Sequence, residues 1–164
     1  MGDGDDEPRS RTYVRGVPMI VRCSSCGSDN RIPPSRLGQT ARCGKCRTSL
    51  EPTAEPYAVT SAAEFGELIA QSPIPVLVDF WAAWCGPCRV VAPEMAKLAR
   101  QRNGSVIVAK VDTEQLPDVA GRFGIQGIPT FILFQAGRET GRASGAMPAA
   151  QIERAVGLPS APSA

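Results

Sequence analysis

The chain has 164 residues, 43% of them hydrophobic, and its 18 Lys or Arg against 16 Asp or Glu leave a net charge of +2. That is enough for one ordinary domain with a small appendage, and so even a charge gives no general pull toward nucleic acid or a membrane surface. There is no histidine, which excludes a His base and His-containing metal sites, and no apolar run approaches the roughly 18 residues of a membrane span.

Residues 1–18 are read as a disordered tail, rich in Gly, Asp, Arg and Pro and without periodicity. Their opening "MGDGDDEPRSRTYVRG" is acidic, then basic, with no apolar core, so it does not read as a secretory signal. The expectation is a cytoplasmic protein, and six cysteines in a reducing compartment point to metal ligation or redox chemistry.

Residues 19–52 form the first module. Its cysteines fall in two Cys-x-x-Cys pairs, "CSSC" and "CGKC", with 16 residues between the pairs. Zinc takes four soft ligands in a tetrahedron, and each such turn supplies two. Cys23, Cys26, Cys43 and Cys46 are therefore the expected ligands of a Zn²⁺ ion, in a small four-cysteine, zinc-ribbon-like module. Free thiols or two disulfides are the alternatives. Gly27 and Gly44 sit where backbone N–H groups can turn toward the sulfurs. A module this short cannot bury enough core to fold alone, so metal binding would supply its folding energy. Four thiolates leave no open position, so the metal is read as structural. The segment carries six basic against two acidic residues but no aromatic side chain for stacking on bases. Nucleic acid is not the expected partner.

"EPTAEP" (51–56) reads as a linker, and the second domain is taken as 53–157. In chain order it opens with a short strand, "YAVT". A helix follows over 62–71, with Phe65, Leu68 and Ile69 on one face and Ser61 as N-cap. "PVLVDFW" is apolar on both faces and reads as a central strand. The next helix runs from about Pro87 to Arg102 with Val91, Met95 and Leu98 as its stripe; Pro93 should kink it. "SVIVAKVD" is a buried strand, and Leu116, Val119, Ala120 and Phe123 mark a third helix. "TFILF" is a strand, "QAGR" a hairpin turn, and a weaker strand lies near 138–144. Ala149, Ile152 and Val156 space out a last helix. The order predicts an α/β fold, a mixed sheet with helices on both faces. Residues 158–164 are read as a second disordered tail.

The third cysteine pair has other surroundings. "WCGPC" (84–88) lies at a strand-to-helix junction. Residues i and i+3 on a helix share a face, close enough for Cys85 and Cys88 to form a disulfide. Cys85 would stand at the helix N-terminus, where free N–H groups and the macrodipole favour a thiolate, the nucleophile of disulfide exchange. Cys88, one turn inward and expected to be more protected, suits the resolving role. Pro87 in the first turn fixes φ without losing a needed hydrogen bond.

"VDFWAAWCGPCRVVAP" (78–93) and "GIQGIPTFILFQAGR" (124–138) resemble the thioredoxin family closely. The likeness covers roughly residues 57–157, and the N-terminal module looks like the zinc-binding extension of the thioredoxin 2 type. The resemblance implies the thioredoxin fold, with Cys85 as nucleophile and Cys88 as resolving thiol. It makes Asp79 the buried carboxylate behind the pair. An aspartate inside "VLVDF" is odd on its own terms, because an unpaired buried charge is expensive; with a raised pKa it could take the proton from Cys88. Its alternative is a surface aspartate on a misread strand. Lys110 matches a family lysine near that carboxylate, the alternative being a snorkelling lysine at a strand edge. Pro129 matches a cis-proline opposite the pair, and the backbone of Ile128 would pair with an extended substrate segment. Trp84, Gly86, Pro87, Ile128, Gly145 and Ala146 would complete a flat, mostly apolar docking surface, while Trp81 could be plain core. Ser144 is more polar than the apolar residue often found there in the family.

The expected function is protein-disulfide reduction, with disulfide-containing client proteins as substrates and an NADPH-dependent thioredoxin reductase to recharge the dithiol. A monomer without a membrane partner is expected. The alternative is a zinc-ribbon module that docks proteins or nucleic acid and uses the second domain as scaffold. A third reading, compatible with the first, is a redox sensor in which oxidation of the four zinc thiolates ejects the metal and unfolds the module.

Overall fold

A computed structural model describes residues 18–159. The tail readings for 1–17 and 160–164 fall outside the described residues.

The first module is two antiparallel hairpins joined by one 3-10 turn, Pro34–Arg36. Strand β1 (Met19–Arg22) pairs with β2 (Asp29–Ile32), and β3 (Ala41–Arg42) with β4 (Ser49–Leu50). Each hairpin turns on a Cys-x-x-Cys pair, and the two turns are built alike. Cys23 N–H donates to Ser28 O at 2.9 Å and Gly27 N–H to Cys23 O at 2.9 Å. In the second, Cys43 N–H donates to Thr48 O at 2.8 Å and Arg47 N–H to Cys43 O at 3.0 Å. Both turns need a left-handed residue after the second cysteine. Gly27 takes it at φ 73°, but the equivalent residue is Arg47 at φ 67°, where a side chain is disfavoured.

The second domain runs β5 (Tyr57–Ala58), α1 (Ala62–Gln71), β6 (Val76–Trp81), α2 (Gly86–Gln101), β7 (Ile107–Asp112), α3 (Pro117–Arg122), β8 (Thr130–Gln135), β9 (Arg138–Ser144) and α4 (Ala149–Val156). The sheet order is β5-β7-β6-β8-β9, with β5, β7 and β6 parallel and β8 and β9 antiparallel. This is the expected mixed sheet, with β6 at its centre. Side chains of β6 alternate between two cores. Val78 and Phe80 meet Phe65 of α1 on one face, and Leu77 meets Val91, Met95 and Leu98 of α2 and Ile152 and Val156 of α4 on the other. The first face is finished by edge-on rings, Phe65 with Phe134 at 5.7 Å and Phe123 with Phe134 at 5.2 Å between centroids.

Helix α1 starts at a serine N-cap, with a glutamate at its third position that reaches back past the cap. Ser61 Oγ accepts from Glu64 N–H at 3.1 Å, and the buried Glu64 carboxylate accepts from Thr60 N–H, from Thr60 Oγ1–H and from the Tyr57 hydroxyl. At the other end of the domain, Leu158 does not join the expected C-terminal tail. It is buried against the α2–α4 core, because Gly157 at φ 73° closes α4 and sends Leu158 N–H back to Glu153 O at 2.8 Å.

The reading of 51–56 as a linker needs correction. Thr53 within it is 1% exposed; its hydroxyl donates to Asn103 Oδ1 at 2.7 Å and accepts from Gly104 N–H at 2.6 Å. Leu37 of the module is fully buried in the same core cluster as Phe65, and burial of one such side chain is worth about 2 kcal/mol. Gly38, at φ 87°, lets the chain lie against Ile74 and the Gly104 carbonyl. The segment is too polar for burial to be read from composition, but its hydroxyl finds partners in the loop before β7. Ile74 precedes β6 and Gly104 precedes β7, so the module packs at the N-terminal ends of the two central strands. The third cysteine pair follows the C-terminal end of β6, about 20 Å away along the strand.

Candidate functional site

Strand β6 ends at Trp81, and a tight turn, with Cys85 N–H donating to Ala82 O at 3.2 Å, leads into α2. Cys85 is the N-cap of α2, and its Sγ accepts from Cys88 N–H at 3.2 Å. Pro87 occupies the first turn, where its missing N–H loses nothing. Cys85 and Cys88 are joined by a disulfide, with their Cα atoms 5.3 Å apart. Exposure does not distinguish them as the sequence suggested: Cys85 is 3% and Cys88 4% exposed. Position does. Cys85 Sγ takes the helix-cap hydrogen bond and lies 3.8 Å from the Ile128 carbonyl oxygen. Ala82 is buried beside the pair, with Trp81 and Ile128 packed against it.

The Ile128–Pro129 peptide bond is cis. Pro129 is buried, not part of the exposed surface, and its carbonyl accepts from Gly145 N–H at 2.9 Å. Around it, Trp84, Gly86, Pro87, Gly145 and Ala146 are exposed and Ile128 is half-buried. Trp84 is 67% exposed, yet its indole N–H donates to Glu114 Oε1 at 2.7 Å. Sequence reasoning misses Glu114, because a glutamate thirty residues away carries no local signal. Its backbone is held by Asp112, whose Oδ1 accepts from Glu114 N–H at 2.9 Å.

Asp79 sits in the middle of β6, 1% exposed, on the face it shares with Leu77 and therefore with α2. Its Oδ1 has no hydrogen-bond partner among the described residues. Burial pushes its carboxyl from 3.8 up to about 7, partly offset by the Lys110 ammonium. Lys110 is the register partner of Asp79 on β7, half-buried, with Nζ 4.5 Å from the centre of the Trp81 ring. Trp81 is thus more than filler: it carries a cation over its face.

The other four cysteines converge. Cys23, Cys26, Cys43 and Cys46 have all their Sγ atoms within 4.8 Å of one another, and none is in a disulfide. The contacts cross between the pairs, Cys23 to Cys46 and Cys26 to Cys43, each at 3.6 Å. A tetrahedral thiolate site with metal–sulfur bonds of about 2.3 Å has edges of about 3.8 Å, so the four residues fit a metal ion. Polar neighbours lie within hydrogen-bond reach of the sulfurs, as expected around thiolate ligands. Ser28 Oγ is 2.9 Å from Cys26 Sγ and 3.2 Å from Cys43 Sγ, and Thr48 Oγ1 is 3.2 Å from Cys46 Sγ. Asn30 Nδ2 reaches Cys43 Sγ at 3.6 Å, while its Oδ1 accepts from Gly44 N–H at 2.9 Å. The Cys46 N–H, then the Ser28 hydroxyl and the Lys45 N–H, pull the Cys43 thiol down to about 5. Ser28 and Thr48 were legible in principle: each stands two residues after the second cysteine of its pair.

Comparison with known proteins agrees with both regions. The thioredoxin family model matches residues 56–157, and the model described as "Thioredoxin 2, N-terminal" matches residues 22–48. The chain is 40% identical to thioredoxin C-3 of Corynebacterium nephridii over 136 residues, 83% of this chain and 92% of that protein. It is 48% identical to thioredoxin 1 of Chlorobaculum tepidum over 90 residues, 55% of this chain and 89% of that protein. Among solved structures, one chain from a study of the thiol resolving mechanism in yeast mitochondrial 1-Cys peroxiredoxin via glutathione/thioredoxin systems superposes with a TM-score of 0.56. It is 31% identical, and the match covers 63% of this chain and 95% of that one. Among the described residues, no helix is long and apolar enough to cross a membrane.

Proposed function

This chain belongs to the thioredoxin family of disulfide oxidoreductases, and from that premise we propose that it reduces disulfides in client proteins through the Cys85–Cys88 dithiol. The observation that supports this most is the placing of Cys85: an N-cap sulfur that takes a backbone N–H bond and lies against the Ile128 carbonyl, beside an exposed apolar rim. In the dithiol form the Cys85 thiolate, stabilised by the N–H groups at the head of α2, attacks one sulfur of a client disulfide. The other client sulfur leaves as a thiolate, and a mixed disulfide forms. Cys88 then loses its proton to the Asp79 carboxylate, which burial holds near 7, and attacks Cys85 Sγ. The client's second sulfur is released, and the Cys85–Cys88 disulfide remains. Two electrons have passed to the client, whose two thiolates take their protons from solvent, while the Cys88 proton rests on Asp79 until water removes it. Lys110 tunes the carboxylate through its charge, and Trp84, Gly86, Pro87, Ile128, Gly145 and Ala146, backed by Pro129, seat the client chain.

Reduction of the product disulfide is assigned to an NADPH-dependent thioredoxin reductase, and the reaction to the cytoplasm. The four-cysteine site is assigned to Zn²⁺, which when bound cross-links the two hairpins. Cys23, Cys26, Cys43 and Cys46 would hold it, with Ser28, Asn30 and Thr48 orienting the sulfurs. Strands of two and four residues give the module little order of their own. The module packs through Gly38 at the N-terminal ends of β6 and β7, while the redox pair follows the C-terminal end of β6, which favours a structural over a catalytic metal.

Trapping tests the mechanism. A Cys88→Ser variant incubated with a disulfide-bonded client should accumulate a 1:1 covalent complex that dithiothreitol dissolves, and Cys85→Ser should form none. A complex formed equally well by both variants would reject the roles given to the two sulfurs.

A further inference from the structure

The client surface ends in a hydroxyl whose polarity the fold sets. Ser144 is the last residue of β9 and directly precedes Gly145 and Ala146. It is exposed, and it lies across the ladder from Thr130, which follows Pro129. The two hydroxyls are 3.0 Å apart.

Either oxygen could donate in that pair, but Thr130 has only one proton. Its Oγ1 is 2.5 Å from the Gly127 carbonyl oxygen, and a carbonyl can only accept. The Thr130 proton is therefore committed to Gly127. Thr130 is 3% exposed, so no solvent competes for it. In the bond to Ser144, Thr130 must accept and Ser144 must donate. Ser144 has then spent its only proton inward, and its remaining lone-pair capacity is open to solvent beside Gly145 and Ala146.

We propose that Ser144 is a specificity-determining residue that acts as a fixed hydrogen-bond acceptor beside the redox pair. It favours clients carrying a donor side chain next to the attacked cysteine. This rests on the disulfide-reductase reading and names the client chemistry of that same site. The surrounding rim offers little competition for the role. Gly86, Pro87, Gly145 and Ala146 have no polar side chain, and the other acceptor of the rim, the Glu114 carboxylate, stands at Trp84 with one oxygen taken by the indole N–H. A donor such as Gln, Asn, Arg or Lys gains an acceptor there, whereas an apolar residue of the same size forces the lone pair out of water without a partner. Because Thr130 keeps its bond to Gly127 in any case, replacing Ser144 leaves the Thr130 proton satisfied.

The test uses the full chain and pairs of disulfide peptides that differ only in Gln against Met beside the attacked cysteine, close in volume and equal in charge. The readout is the ratio of kcat/KM for the two peptides. The natural chain should favour the Gln peptide about fivefold, the discrimination of one net hydrogen bond. Ser144→Val should bring the ratio to one or below, and Ser144→Thr, which restores a hydroxyl, should recover it. A ratio near one in the natural chain, or an unchanged ratio in Ser144→Val, overturns the assignment. If neither peptide is reduced by the natural chain, the reductase reading itself fails; if both are reduced without preference, only the role of Ser144 does.

Discussion

One short motif stands in two different settings in this molecule, and the backbone around it makes the difference. In the N-terminal module each Cys-x-x-Cys turns a hairpin, and two such turns face each other, so that four sulfurs converge within 4.8 Å. Hydroxyls, an amide and backbone N–H groups point at them. At the end of β6 the pair stands alone, its first sulfur capping a helix and its second one turn inside, with their Cα atoms 5.3 Å apart. The hairpins gather four sulfurs at the spacing of a metal site. The strand–helix junction holds two sulfurs close enough to bond, over a buried carboxyl. The comparison teaches that a Cys-x-x-Cys motif is interpreted by its flanks: short polar hairpins gather sulfurs at the spacing of a metal site, and an apolar strand running into a helix pairs two in a disulfide.

The sharpest way to break this comparison is to exchange one cysteine for serine on each side. Cys85→Ser should lower dithiol-driven reduction of a protein disulfide by about a thousandfold or more, while metal content by atomic absorption stays that of the natural chain. Residual turnover near the natural rate would dissolve the distinction. Next in size is Asp79→Asn. A carboxyl that ionises near 7 when folded and near 3.8 when unfolded binds more protons in the folded state between those values. Folding stability therefore falls as pH rises through that window and stays low above it. Removing the group should stabilise the domain by up to about 4 kcal/mol at pH 8 and by little at pH 4, measured by urea unfolding at both pH values. The same change should slow client release from the mixed disulfide by about 100-fold and flatten its rise with pH near 7. An equal stability change at both pH values would contradict the buried-carboxyl account.

On the metal side, Cys23→Ser should empty the site and expose Met19 and Leu37, both buried in the natural chain and clustered with core residues of the second domain. The cost to that domain is about 2–4 kcal/mol, seen as a lower thermal midpoint, with disulfide reduction kept within about threefold. Activity lost while the 53–157 fold persists would give the metal more than a structural part. The smallest effect concerns the pseudo-repeat of the two turns. Arg47 holds the left-handed position that Gly27 holds in its counterpart. Arg47→Gly should strengthen metal retention by about 1 kcal/mol, read as a higher chelator concentration at half-release; weaker retention would show that the arginine side chain matters more than its backbone.

Much of this was legible in the sequence. The second domain's strands and helices follow from apolar runs such as "VLVDFW" and from stripes such as Val91, Met95 and Leu98, because period and burial coincide there. The grouping of the six cysteines, four that converge and two that bond, agrees with the reading from spacing and flanks. What was not legible arises between segments distant in sequence. Thr53 reads as linker because a buried hydroxyl cannot be told from an exposed one until Asn103 and Gly104 arrive. Glu114 becomes part of the site only when the turn after β7 brings it to the Trp84 indole. The near-equal burial of Cys85 and Cys88 depends on Ile128 folding over the pair. The strands of the module, two or four residues long, are too short for alternation to register.

The most direct test of the whole account counts metal and thiols on one sample. Fully reduced chain should hold one zinc ion and offer two titratable thiols; after mild oxidation it should offer none and still hold the zinc. Release of zinc in step with the loss of those first two thiols would contradict the division of the cysteines into one pair for electrons and four for metal.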